Sequence, residues 1–157
     1  MTPEELLQNY LGGATKLQNC VQQVPAATWQ EHPIAATWSI AQVVCHLADF
    51  EVIFANRIKQ VLAEDNPPLP GADENRFAAR LKYSDRDVAA ELQLIVLQRQ
   101  QIARILSAVD LEDYQRTGVH SEAGPVTLET LLEKAISHLQ HHLTFIEQKV
   151  QAIQTAS

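Results

Sequence analysis

The sequence predicts an all-α fold, a four-helix bundle, and three observations carry the prediction. Apolar residues recur at i, i+3, i+4 and i+7 through four separate stretches, each stretch opens on a capping signal, and no run alternates with period two for long enough to make a sheet. The first stretch begins with Thr2-Pro3-Glu4-Glu5. Thr2 caps the helix, Pro3 takes the first position, where its missing N–H costs nothing, and Glu5 reaches back to the cap. Leu6, Tyr10, Leu17 and Val21 continue the apolar face to about Gln23. Gly12-Gly13 in mid-helix costs about 1 kcal/mol per glycine relative to alanine, a cost that a close helix neighbour would explain.

Residues 24–37 carry Pro25 and Pro33 and lose the period, which predicts a connection with room for one short turn. The second helix starts at Ser39, whose capping box with Gln42 precedes Ile40, Val43, Val44, Leu47, Phe50, Phe54, Ile58 and Val61 at helical spacing. The segment EDNPPLPGADEN, residues 64–75, then predicts a long loop without helix or strand, of the kind that borders functional sites. Ser84 and Asp87 cap a third long helix running to about Val109. A second polar connection, DLEDYQRTGVHSEAGPV, leads to Thr127, where the fourth helix starts and runs to about Ile153. The wide connections leave simple up-and-down topology open.

A chain of 157 residues, 46% hydrophobic and 20% charged, is expected to form one domain over residues 1–157. Its net charge of −7 repels phosphate backbones and anionic lipid, so nucleic acid and membrane are excluded as partners and a small molecule or a protein is favoured. No apolar run reaches the length that spans a bilayer, and MTPEELLQNY lacks the basic and apolar regions of a secretory leader, which predicts a cytoplasmic protein. Cys20 and Cys45 match no metal-binding spacing and are expected to be reduced, buried thiols.

Three of six histidines fall within the run HLQHH, residues 138–142. At about 100° per residue, with His138 at zero, His142 lies near roughly 40°, His141 near roughly −60°, and the apolar face of the fourth helix centres near roughly 85°. His138 and His142 therefore occupy the shoulder of the apolar face, and His141 turns away from it. His46 lies about 95° from the centre of its own helix's stripe, again a shoulder position. Shoulders of facing helices meet beside a bundle core, where three imidazoles would leave coordination positions open on a metal ion. The bland alternative is a set of hydrogen-bonded boundary residues. His32 and His120 lie in connections with nothing paired to them.

The segment WSIAQVVCHLADFE, residues 38–51, followed by RTGVHSEAGPVTLETLLEKAISHLQHH, residues 116–142, resembles the DinB-like superfamily of four-helix, metal-binding bacterial proteins. The resemblance covers most of the chain and implies one divalent ion, Zn, Ni or Fe, held by His46, His138 and His142. It also implies a homodimer and activity on a small-molecule substrate, either as a thiol S-transferase using a low-molecular-weight thiol or as a metal-dependent hydrolase. No catalytic residue is matched by it; Asp49, one turn after His46, is the candidate for orienting a ligand. The competing expectations are a non-catalytic metal- or ligand-binding stress-response module, and a metal-free bundle with a pocket for an apolar ligand. Because protonated imidazole does not ligate, a three-histidine site is expected to lose its ion below about pH 6.

Overall fold

A computed structural model describes all of residues 1–157. Four long helices carry the fold: α1 (Pro3–Val21), α2 (Ile40–Ala63), α4 (Val88–Leu106) and α5 (Leu128–Ala156), with a short α3 (Glu74–Arg80) between the second and third of them. The caps read from the sequence form. Thr2 Oγ1 accepts from the Glu5 amide while Glu5 Oε2 accepts from the Thr2 amide, and Ser39 and Gln42 repeat the exchange at the head of α2. Asp87 alone caps α4, through the amides of Ala89 and Ala90, because Ser84 is held in a separate 3₁₀ turn at Tyr83–Asp85. The α4 helix stops at Leu106, short of Val109.

Two expectations fail locally. Residues 64–75 are not wholly a loop, since Pro68–Leu69 forms β1 and α3 opens at Glu74 on an Asp73 cap. Likewise a small sheet exists: β2 (Thr117–His120) pairs parallel to β1 and antiparallel to β3 (Gly124–Thr127). Strands of two and four residues are too short to show an alternation. Gly118 lets this sheet sit on the end of α2, as a Cβ there would meet Leu69 Cδ1 at 2.8 Å and Val61 Cγ2 at 2.9 Å. Arg116 adds a clamp by donating to the Val61 and Glu64 carbonyls at the α2 terminus.

Around the bundle α1 packs on α4 and α5, and α2 packs on the same two, so α1 and α2 face each other diagonally across the core. That order differs from an up-and-down bundle, in which consecutive helices are neighbours, and the wide connections are what allow it. The apolar core is in two parts, one around Leu17, Val44, Ile95 and Ile146, the other around Leu6, Ile58, Ile102 and Leu131.

Between the two parts lies a buried polar layer. Arg99 of α4, 1% exposed, donates from Nε and Nη2 to Glu51 Oε2 of α2, from Nη1 to the Tyr10 carbonyl of α1, and from Nη2 to the Ala135 carbonyl of α5. The Tyr10 hydroxyl donates to the other Glu51 oxygen at 2.6 Å. One side chain thus touches all four long helices. Gly13 makes the room, because a Cβ there would meet Arg99 Nη1 at 2.9 Å and Leu139 Cδ2 at 3.2 Å, whereas one at Gly12 meets nothing within 4 Å. The two glycines, alike in sequence, have different reasons to exist.

This difference is measurable by urea unfolding. Gly13→Ala is expected to destabilise by about 1–3 kcal/mol, since Arg99 is pinned and cannot yield, while Gly12→Ala is expected to be neutral or to stabilise by up to about 1 kcal/mol. Glu51→Ala, which strands a buried guanidinium, should cost about 3–5 kcal/mol.

Candidate metal centre

His46 sits two turns into α2, and His138 and His142 stand one turn apart on α5, the helix that packs against α2. Their side chains meet tip to tip. His46 Nε2 lies 3.0 Å from His138 Nε2 and 3.0 Å from His142 Nε2, and the three ligand atoms fall within 4.8 Å of one another. Two nitrogens bonded at about 2.0–2.1 Å to a common ion stand roughly 2.8–3.4 Å apart for angles from square to tetrahedral. The cluster is therefore capable of coordinating a divalent metal ion. A proton could bridge only two of the three lone pairs, so a cation is the group that satisfies all of them.

Aromatic rings wall the cluster. Trp38 and Phe50 lie 5.4 and 4.6 Å from the His46 ring, Phe54 lies 5.7 Å from His138, and Phe145 lies 5.9 Å from His142, all between centroids. Burial, with the neighbouring imidazole of His142, lowers the pKa of His138 to about 3 and that of His46 to about 4; burial, with His141, lowers His142 to about 4. The imidazoles are thus neutral, the form that ligates, well below neutral pH. Beside them, Glu74 at the start of α3 brings Oε2 to 3.8 Å from His46 Nε2 with its side chain 54% exposed. The short helix is held there by Phe77, whose ring lies 5.6 Å from that of Phe50.

Comparison with known proteins bears on the family and the fold. The DinB superfamily matches residues 12–146. The chain belongs to the DinB superfamily. An Oceanobacillus iheyensis protein named "Putative metal-dependent hydrolase" is 28% identical over 109 residues, 69% of this chain and 63% of that one. A second such protein, from Bacillus cereus, is 27% identical over 69% of this chain and 62% of its own length. The matches thus span less than two thirds of these relatives. Among solved structures, YfiT from Bacillus subtilis, described as "a probable metal-dependent hydrolase with an unusual four-helix bundle topology", superposes with a TM-score of 0.87 at 22% identity, over 97% of this chain and 87% of that one. A mycothiol-dependent maleylpyruvate isomerase gives 0.74 at 14% identity, over 92% and 60%. At such identities the structural likeness carries the DinB-like fold, including the departure from up-and-down order.

Against this DinB framework the sequence reading is corrected at His46, Asp49, His32 and His120 and is borne out at His141 and both cysteines. His46 is a shoulder residue by angle, yet Trp38 and Phe50 cover it and it is fully buried. Asp49 makes no hydrogen bond to a histidine of the cluster: both its oxygens accept from Arg86, which also bonds Glu91. His46 Nδ1 is left buried without a protein partner. His141 is exposed, His32 bonds the Thr37 carbonyl, and His120 accepts from the Glu122 and Ala123 amides of the turn between β2 and β3, so none of these joins the cluster. Both cysteines are free and buried, with Cys45 raised to about 11 chiefly by burial. Glu74 was not singled out from the sequence, although the proline-rich segment that delivers it was.

The lowered pKa values move the expected loss of metal down from pH 6. Protons compete with the ion only as pH approaches about 4, so the dissociation constant of zinc or nickel, followed by competition with a chromophoric chelator, should be nearly flat from pH 8 to 5 and rise steeply below. Metal-free protein behaves differently: its unfolded histidines titrate near about 6.5, so the unfolded state takes up protons first and thermal stability should fall as pH drops from about 6.5 towards 4. His142→Ala should no longer retain near-stoichiometric metal.

Proposed function

We propose that the chain is a metal-dependent enzyme acting on a small molecule, as a hydrolase or as a thiol S-transferase, with the convergence of three Nε2 atoms on one point as the observation that carries the reading. His46, His138 and His142 would hold the ion, and the donor set suits Zn, Ni or Fe. Such an ion supplies positive charge that lowers the pKa of a water or thiol placed beside it. The other parts of the step belong to the chain. Glu74 Oε2, exposed at the edge of the cluster and 3.8 Å from His46 Nε2, is placed to accept the O–H or S–H proton and to hand it to solvent or to a leaving group. Phe50, Phe54, Trp38 and Phe145 restrict water around the imidazoles, which strengthens every charge interaction there.

The names of the relatives support both chemistries: metal-dependent hydrolysis in the sequence matches and thiol-dependent isomerisation in a structural neighbour. Both begin by removing a proton from a nucleophile, and that shared step is the part the cluster and Glu74 would serve. A purely structural ion bracing two helices would have no use for a carboxylate on a separate short helix at the edge of the cluster.

Turnover is tested with metal-loaded protein in two assays, hydrolysis of activated esters and amides, and loss of thiol when glutathione, bacillithiol or mycothiol is mixed with epoxides or chloro-nitroaromatics. Activity in either assay should vanish on chelation and in His142→Ala. Glu74→Gln should retain its metal and lose roughly a hundredfold or more in kcat. Activity indifferent to chelation would remove the proposal.

A further inference from the structure

Lys149 of α5 is 3% exposed. Lysine is almost never so buried unless it is paired, yet its ammonium forms no ion pair with a carboxylate, and burial pushes it below the usual lysine pKa. The side chain lines a cavity of about 370 Å³, within the size range of small-molecule sites. The cavity walls are mainly apolar, from Ile34, Trp38, Val43 and Phe145, and His142 contributes to the same lining. Because Lys149 follows His142 by seven residues, the two lie about 10 Å apart along the helix axis. Trp38 borders both spaces, with its ring 5.4 Å from that of His46. An unpaired cation, an apolar body and the imidazole cluster thus follow one another along a single face of α5.

We propose that this cavity binds an organic monoanion, its acid group on Lys149 Nζ, its apolar body against Trp38, Val43 and Phe145, and its other end at His142. The assignment of that other end to reaction rests on the reading of the imidazoles as a metal centre; the pairing of acid with Lys149 does not. A carboxylate supplies the missing counter-charge, and a charge-assisted hydrogen bond inside an apolar cavity is stronger than one in water. An alcohol of the same shape could accept a hydrogen bond from the ammonium but would bring no counter-charge. The site therefore selects for acids over the corresponding alcohols, and a substrate of the enzyme would carry its negative group about two helical turns from the reacting atoms.

Metal-free protein separates this claim from the metal reading. Isothermal titration with 4-phenylbutyrate and with 4-phenylbutan-1-ol should show the acid binding roughly ten- to a hundredfold more tightly. In Lys149→Met, which keeps the apolar stem, the acid should fall to the affinity of the alcohol while the alcohol is unchanged. Lys149→Arg should keep the preference. Equal affinities of acid and alcohol in the wild-type protein, or a preference that persists in Lys149→Met, would overturn the proposal. Should Lys149→Met fail to fold, the wild-type comparison decides alone. Failure of metal uptake by His46, His138 and His142 would leave the acid preference of metal-free protein intact, and failure of the acid preference would leave metal uptake intact.

Discussion

The buried pair of Arg99 with Glu51 is the constraint on which the arrangement of the site depends. A guanidinium 1% exposed has to find acceptors, and it finds them on α1, α2 and α5 at once. Glu51 stands five residues after His46, and Ala135, whose carbonyl accepts from Arg99, stands three residues before His138. The bonds that satisfy Arg99 therefore also fix how far α2 and α5 slide past each other. A buried ion pair is weak evidence for net stability, since desolvation offsets the attraction between its charges. Its consequence here is register. Apolar packing alone tolerates many alternatives, and two core halves separated by one polar layer tolerate far fewer.

Register in turn sets the chemistry. Two imidazoles brought within 3.0 Å of the Nε2 atom of a third, in a ring of aromatic side chains, stay neutral down to about pH 4, well below the pH at which an exposed cluster would charge. The same burial that costs stability to the metal-free protein at low pH leaves three ring nitrogens facing one another, more than one shared proton can bridge. Charge is handled in three ways within one bundle. Arg99 and Glu51 cancel, Arg86 is shared between Asp49 and Glu91, and the imidazoles remain neutral.

Much of this was legible in the sequence, for identifiable reasons. Capping boxes at Thr2 and Ser39 and uninterrupted apolar periodicity place the long helices, because both signals are local. Helical angle alone set His138 and His142 together and His141 apart, as found. The small sheet was not legible, since its strands are shorter than any alternation and exist because Arg116 and Gly118 dock them on α2. Arg99 and Lys149 are of residue types that usually face solvent, and only tertiary packing reveals them as buried. Lys149 falls near roughly 20° on the scale used for α5, between the two histidines; the angle carried the signal, and its charge concealed it. Glu74 reaches the cluster through the packing of Phe77 on Phe50, a contact between segments that no periodicity links.

That nitrogen atoms from two packed helices share a single cation is the claim most directly open to measurement. Crystals of the protein purified without chelator, with anomalous differences collected at the absorption edge of the ion they contain, should give one strong peak per chain. The account predicts that this peak lies about 2.0–2.1 Å from Nε2 of each of His46, His138 and His142. A peak bonded to fewer than two of these nitrogens, or lying on other side chains altogether, would contradict it.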